Sequence, residues 1–145
     1  MNPDFVALLR ELSAAEARFL IVGAYALARH ARPRATGDLD LWVDTTPENA
    51  GRVHRALAAF GAPLEQLGVA ELQQPDLVFQ IGLPPRRIDI LTSLTALEFQ
   101  PCWESSVPGE LGGVPCRILG REELMRNKRA LGRPRDLADL ADLEG

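Results

Sequence analysis

The sequence predicts an α/β or α+β fold in which a mixed β-sheet is flanked by helices, all within a single domain of residues 1–145. Two observations lead to this prediction. Apolar residues recur with the helical period of 3.6 in some segments and with the strand period of 2 in others, and the two kinds of segment alternate along the chain. The length of 145 residues suits one continuous core and leaves no room for a second domain of useful size.

The N-terminal half predicts helices and strands in alternation. Phe5, Leu8 and Leu12 recur at helical spacing behind Asn2, which is a plausible cap. The predicted elements of this half are a helix from Pro3, a buried strand over 19–22, a helix over 24–29, a strand over 38–43 and a helix from Pro47 that Thr46 caps and Gly61 ends. The core is therefore expected at about residues 19–91.

The C-terminal half predicts more strands followed by two helices. Residues 101–113 are rich in Pro, Gly and Ser and are expected to be irregular. The predicted elements are strands over 77–81 and 86–91, an edge strand over 115–119, and helices over 121–131 and 134–143. The two C-terminal helices together span about residues 120–143.

Composition and charge restrict the class of protein. The formal net charge is −4, which excludes a strongly basic nucleic-acid-binding surface over the whole chain. The longest apolar stretch, 19–28, is too short to cross a membrane, and the N-terminus lacks the pattern of a secretory signal. Cys102 and Cys116 match no zinc or redox spacing. We therefore expect a cytoplasmic protein that does not contact a membrane.

Three aspartates predict a metal site. Asp38 and Asp40 are two residues apart on a predicted strand, so both side chains leave the same face. Asp89 lies in another strand, between Ile88 and Ile90. If the two strands are neighbours, the three carboxylates converge, and Mg²⁺ is the hard cation that such oxygen ligands favour. Two ions about 3.5–4 Å apart are the arrangement expected for such a set of acids.

The ordinary alternative is that these aspartates are a loop cap and solvated strand residues, which is common for an isolated Asp-x-Asp pair. Two structural outcomes would end the case for catalysis. One is Asp89 facing away from Asp38 and Asp40, and the other is a salt bridge that fills the space between the acids.

A glycine turn and a basic loop lie on either side of the second helix. Gly23 and Ala24 join a buried strand to that helix, whose unpaired N–H groups suit a phosphate. The basic residues Arg29, His30, Arg32 and Arg34 precede the acids and suit an anionic ligand, although a solvated basic loop explains them equally well.

The C-terminal helices carry one unusual lysine. Lys128 shares the apolar face of its helix, so either its stem lies along the core or its ammonium reaches an internal anion such as a phosphate. Asp136 falls in the first turn of the last helix, where capping is the simplest role, although it could also orient Lys128 or Arg133.

Together these residues resemble the nucleotidyltransferases of the polymerase-beta superfamily, and in particular small bacterial members related to AbiEii-type toxins. The matching segments are Val22-Gly23-Ala24, His30, Arg34-Ala35-Thr36-Gly37-Asp38-Leu39-Asp40, Ile88-Asp89-Ile90, Asn127-Lys128 and Arg133-Pro134-Arg135-Asp136. The resemblance covers about residues 19–91 and 120–140. It implies the nucleotidyltransferase fold.

The resemblance also implies a reaction, in which a nucleoside monophosphate passes from a nucleoside triphosphate to a hydroxyl group with loss of pyrophosphate. Asp38, Asp40 and Asp89 would be catalytic and would bind Mg²⁺ or Mn²⁺. The residues that would bind the nucleotide are Gly23, Ala24, Arg34, Thr36, Lys128 and Arg133. The acceptor is left open between a small molecule, a protein and an RNA end, and a toxin–antitoxin or defence system is the expected context.

Two other functions compete with this one. Ala24 stands where the family favours Gly or Ser, and it lacks a hydroxyl to donate a hydrogen bond. A catalytically degenerate binding or regulatory module is therefore the first alternative, with a partner protein or a second copy completing the cleft. A glycosyltransferase with a metal-bound nucleotide sugar ranks last, because the chain is short for separate donor and acceptor regions.

Overall fold

Six β-strands form one mixed sheet that helices flank, as a computed structural model of the chain shows for residues 1–32 and 37–145. The helices are α1 (Pro3–Ala14), α2 (Gly23–His30), α3 (Pro47–Phe60), α4 (Phe99–Glu104), α5 (Arg121–Leu131) and α6 (Pro134–Glu144). The strands are β1 (Phe19–Val22), β2 (Leu39–Val43), β3 (Val78–Ile81), β4 (Ile88–Leu91), β5 (Val107–Leu111) and β6 (Val114–Ile118). The predicted α+β class, single domain and flanked mixed sheet are confirmed.

The strand order places the predicted acids in the middle of the sheet. The order is β3-β4-β2-β1-β6-β5. Strand β2 runs parallel to β4 and antiparallel to β1, and β1 runs parallel to β6. All four residues of β1 are buried, as are all but Asp40 in β2. Asp40 is thus a polar position in an otherwise apolar strand.

Local capping chemistry explains where the long helices begin and end. The Asn2 side chain accepts a hydrogen bond from the Asp4 N–H at 2.8 Å, and Pro3 opens α1. Thr46 caps α3 by accepting from the Asn49 N–H at 3.3 Å. Gly61 ends α3 with a φ of 94°, which a residue with a side chain rarely adopts. These predicted boundaries are confirmed.

The expectation for residues 101–113 is wrong. Helix α4 and strand β5 occupy most of this segment, and β5 pairs with β6 in an antiparallel hairpin. Pro108 and Gly109 interrupt the strand pattern in the sequence. The proline is compatible with β5 because this strand lies at one edge of the sheet, where a missing N–H is tolerated. The last strand, β6, therefore lies between β1 and β5 and is not the edge.

The end of the sheet away from the acids is fixed by a polar cluster. The Arg18 guanidinium lies 3.2 Å from the Asp44 carboxylate and 4.8 Å from the centre of the Trp103 ring. The Asn49 side chain donates to the Asp44 carbonyl at 2.8 Å and so joins α3 to the end of β2. This cluster explains how β1 and β2 are held at their far ends without help from the candidate site.

Within residues 1–32 and 37–145, no helix has the length and apolar character needed to cross a bilayer. Cys102 and Cys116 are both buried and free.

Candidate active site

Asp40 and Asp89 lie side by side on the two central parallel strands. Asp40 of β2 is in register with Asp89 of β4. Residues in register on neighbouring strands project from the same face of the sheet, so the two carboxylates share one surface. Only 8% of Asp89 is exposed. The sequence predicted this neighbourhood only on the condition that the two strands pair, and the sheet meets that condition.

Gly23 forms the wall behind Asp40. Strand β1 pairs with β2 so that Val22 lies opposite Asp40, and Gly23 follows directly as the first residue of α2. Gly23 has a φ of 64°, and a Cβ added there would overlap the Asp40 carboxylate. Val22, the N-cap of α2, gives that helix no side-chain cap. The free N-terminus of α2 therefore begins directly beside the Asp40 carboxylate.

Arg87 forms ion pairs with the other two acids. Its Nε donates to Asp89 Oδ1 at 2.8 Å, and its Nη2 donates to Asp89 Oδ2 at 3.2 Å. The same Nη2 lies 3.4 Å from Asp38 Oδ2, and the Arg87 backbone N–H donates to Asp38 Oδ1 at 3.0 Å. Asp38 lies just before β2, which begins at Leu39, although the predicted strand over 38–43 included it. Arg87, just before β4, thus joins Asp38, just before β2, to Asp89 within β4.

A role for Arg87 was not predicted from the sequence. Its salt bridge with Asp38 and Asp89 is an outcome of the kind expected to argue against catalysis. A signal for it was present, because Arg87 and Asp89 are two residues apart, a spacing that places both side chains on one face of a strand. The salt bridge occupies two of the acids. It does not include Asp40, which has no ion pair among the residues that the structure describes.

The surroundings of Asp40 disfavour its negative charge. Burial is the largest cause, followed by the charge of Asp89, a hydrogen-bond contact with the Asp89 side chain and the charge of Asp38, and together they raise the pKa of Asp40 to about 6. Arg87 opposes this shift only weakly. A carboxylate in such a position is stabilised by a proton or by a cation.

The acids suit a divalent cation that brings ligands with it, and not a complete protein cage. Among residues 1–32 and 37–145, no three acidic, histidine or cysteine side chains converge closely enough to hold a metal ion. Asp40 and Asp89 do share one surface. Mg²⁺ is commonly held by one or two carboxylates together with water and substrate phosphates. Asp40 and Asp89, with Asp38 next to them, fit that kind of site.

A cleft lies near the start of the two acid-bearing strands. It has a volume of about 610 Å³ and is lined by residues that include Phe5, Tyr25, Gly37 and Arg86. Gly37 directly precedes Asp38, and Arg86 directly precedes Arg87, but none of the three aspartates lines the cleft. Its volume is within the range of small-molecule sites.

The face of the sheet that carries Asp89 is also open towards the β3 edge. Gln80 is in register with Asp89, and Val78 is in register with Leu91. Both Gln80 and Val78 are exposed, whereas Phe79 and Ile81, on the opposite face, are half-buried. The sheet face that carries Asp89 is therefore exposed at β3, the neighbouring strand.

Lys128 and Arg133, both predicted to bind nucleotide, belong to an ion cluster between α5 and α6. Lys128 Nζ lies 3.1 Å from Asp139 Oδ2 and 3.5 Å from Asp136 Oδ1. Arg133 binds both oxygens of the fully buried Asp136, at 2.5 and 3.1 Å. Asp136 also accepts from the Arg133 backbone N–H, which confirms its predicted capping role. The internal anions that Lys128 meets are carboxylates, so its part in nucleotide binding stays a prediction.

The basic loop is only partly described. His30 Nε2 lies 2.7 Å from the Leu119 carbonyl oxygen, and Arg32 pairs with Asp142 at 3.0 Å on an exposed surface. Both residues therefore have structural partners in the C-terminal part of the chain. Arg34 and Thr36, also predicted to bind nucleotide, lie outside the described residues.

The fold and site thus define a single-domain α+β protein with a pair of acids beside an open helix N-terminus. No model of a known protein family matches the chain, and no curated protein is significantly similar to it.

Proposed function

We propose that this protein is a metal-dependent nucleotidyltransferase with the fold of the polymerase-beta superfamily. The observation that carries the proposal is the in-register pair of Asp40 and Asp89, next to the Gly23 turn and the free N-terminus of α2. The predicted triad of Asp38, Asp40 and Asp89 supplies the acids. A triphosphate and a divalent cation are the ligands that this combination of groups suits.

Each part of the site would have a defined role. Asp40 and Asp89, with Asp38 beside them, would hold Mg²⁺ or Mn²⁺, which when bound would supply charge neutralisation for the triphosphate and activation of the acceptor hydroxyl. The N–H groups of Gly23 and Ala24 at the start of α2 would bind phosphate oxygens. The hydroxyl oxygen forms a bond to the α-phosphorus, the bond to pyrophosphate breaks, and the proton passes to a carboxylate, which is Asp89 in the scheme that the resemblance implies.

The test is transfer from labelled nucleoside triphosphates at millimolar Mg²⁺ or Mn²⁺, with small molecules, proteins and RNA ends as acceptors. We expect metal-dependent release of pyrophosphate that Asp40→Ala abolishes. Asp142→Ala is the matched control, because it removes an acid from an exposed surface pair. Wild-type protein that neither binds a triphosphate nor transfers to any acceptor would contradict the proposal.

A catalytically degenerate binding or regulatory module is the second candidate function. It is favoured by the Arg87 ion pairs with Asp38 and Asp89 and by Ala24 in the glycine turn. In this case Asp38→Ala keeps the biological effect of the wild type, whether in a toxin–antitoxin pair or in a defence system. Loss of that effect in Asp38→Ala would exclude the module and favour the enzyme.

A further inference from the structure

We propose that Arg87 takes the place of one divalent cation, so that the site binds a single metal ion where the predicted triad suggested two. This inference rests on the proposed function and concerns how its metal is bound. It assigns a positioning role to a residue that the sequence analysis did not single out.

The Arg87 guanidinium lies between Asp38 and Asp89. The Arg87 guanidinium contacts both oxygens of Asp89 and one oxygen of Asp38, at 2.8, 3.2 and 3.4 Å. The second oxygen of Asp38 accepts the Arg87 backbone N–H at 3.0 Å. A cation shared by Asp38 and Asp89 would have to lie where the guanidinium already lies. Asp40, in register with Asp89, remains available on the other side.

The charges of the three aspartates and Arg87 also favour a single divalent cation. When ionised, the three aspartates carry three negative charges, and Arg87 supplies one positive charge among them. The two charges that remain are those of one divalent cation. A second divalent cation would make the cluster net positive before any phosphate arrives, and it would be repelled by a guanidinium at close range.

Arg87 is also firmly held in this position. Its side chain is only 27% exposed, and its contacts with Asp89 are two parallel hydrogen bonds, the geometry in which arginine binds a carboxylate most strongly. Its backbone directly precedes β4, the strand that carries Asp89, and its N–H is held by Asp38, so the guanidinium needs little reordering to stay in place. Lys128 and Arg133, two further cationic side chains predicted for this site, instead contact Asp136 in the C-terminal helices.

The stoichiometry of Mn²⁺ binding tests the inference. Mn²⁺ is titrated into wild-type protein and Arg87→Gln, with and without a non-hydrolysable triphosphate analogue, and free Mn²⁺ is measured by electron paramagnetic resonance. We expect one Mn²⁺ per chain in the wild type and two in Arg87→Gln, with the first ion bound at least tenfold more tightly in the variant.

Two further variants separate position from net charge. Arg86→Gln removes the same charge from the neighbouring residue, which has no contact with the acids among the described residues, and it should keep the count at one. Arg87→Lys keeps a cation at the position and should also bind one ion. Circular dichroism shows whether each variant is folded, and Arg87→Lys keeps the test usable if Arg87→Gln does not fold.

The outcomes distinguish this inference from the proposed function. Two Mn²⁺ ions in the wild type, or an unchanged count in folded Arg87→Gln, would overturn the role of Arg87 and leave the nucleotidyltransferase intact. If Arg87→Lys binds two ions, the inference is overturned as well. Wild type that binds no Mn²⁺ with or without the analogue would contradict the proposed function itself.

Discussion

At the scale of single residues, Asp40 is held in a state that favours protonation. Its pKa is raised to about 6, mainly by burial and then by the charge of Asp89. In the unfolded chain the group titrates near the ordinary value of 3.8. The folded protein therefore binds this proton more tightly, so stability that is present at low pH is lost as the pH rises from about 4 to about 6.

The upward shift in the pKa of Asp40 gives a prediction for Asp40→Asn. In the absence of metal at pH 7.5, the variant should be more stable than the wild type by about 1 kcal/mol, a value reduced to allow for solvent screening of a partly exposed group. The difference should shrink as the pH falls through about 6 and vanish only below about pH 4, where the aspartate becomes protonated in the unfolded chain as well. Urea denaturation in a chelator at several pH values measures it, and a variant no more stable than wild type at pH 7.5 would contradict it.

Gly23 gives a second prediction. Gly23→Ala should lower stability through its positive φ of 64° and also push the Asp40 carboxylate aside. Gly61→Ala is the matched control, because Gly61 has a φ of 94° and nothing within 4 Å of an added Cβ. Both variants should lose about 1 kcal/mol for the left-handed backbone.

Only Gly23→Ala should lose more stability than this and also lose Mn²⁺ and triphosphate binding. Urea denaturation and a Mn²⁺ titration compare the two variants. Equal stability and equal ligand binding would show that Gly23 serves the turn alone.

At the scale of elements, the sequence predicted what local chemistry determines. The helix boundaries at Asn2, Thr46 and Gly61 can be recognised in the sequence because each cap acts on backbone groups only a few residues away along the chain. Strand β5 was missed because its alternation is interrupted by Pro108 and Gly109. Only the pairing partner, β6, shows that this segment is a strand.

The candidate site shows the same limit. The spacing of Asp38 and Asp40 is a local signal, whereas the register that brings Asp40 beside Asp89 depends on how distant strands pair. The contact between Arg87 and Asp38 spans 49 residues of chain and follows from that register. The partners of Lys128 could not be chosen from the sequence, because a phosphate and a buried carboxylate both satisfy an ammonium group.

The α5–α6 pair gives a prediction for Asp136. Its hydrogen bond with the Arg133 side chain, together with the Arg133 backbone N–H and the charge of Lys128, lowers the pKa of Asp136 to about 2. The stabilising contribution of a lowered pKa is complete above about pH 4 and is lost as the pH falls through about 2. Asp136→Asn should therefore lose about 3 kcal/mol at pH 5 to 8, because it removes the fully buried carboxylate that Arg133 and Lys128 share.

Asp142→Asn is the control for this measurement. Asp142 also pairs with an arginine, but the Arg32 side chain is 83% exposed, so the loss should stay within about 0.5 kcal/mol. Thermal or urea denaturation at pH 7 compares the two variants. Similar losses in both would show that the buried cluster contributes no more than a surface pair.

At the scale of the whole molecule, the helices at both ends of the chain contact elements around the sheet. Helix α1, at the N-terminus, contacts α3 and β6, while α5 and α6 contact α2, which follows β1. The His30 ring also contacts the Leu119 carbonyl oxygen, between β6 and α5. The elements that support the acids are therefore connected to distant segments of the chain, and the candidate site depends on all of them.

This connectivity predicts a single cooperative unfolding transition. Trp42 is buried in β2 and Trp103 is half-buried in α4, so fluorescence reports on the sheet and α4, whereas far-ultraviolet circular dichroism also reports on α5 and α6. The two signals should give one urea midpoint in the wild type. Asp136→Asn, although it changes only the α5–α6 pair, should shift both midpoints equally. A circular dichroism transition that moves while the fluorescence transition stays would show that the C-terminal helices unfold on their own and that the sheet with its acids is a separate unit.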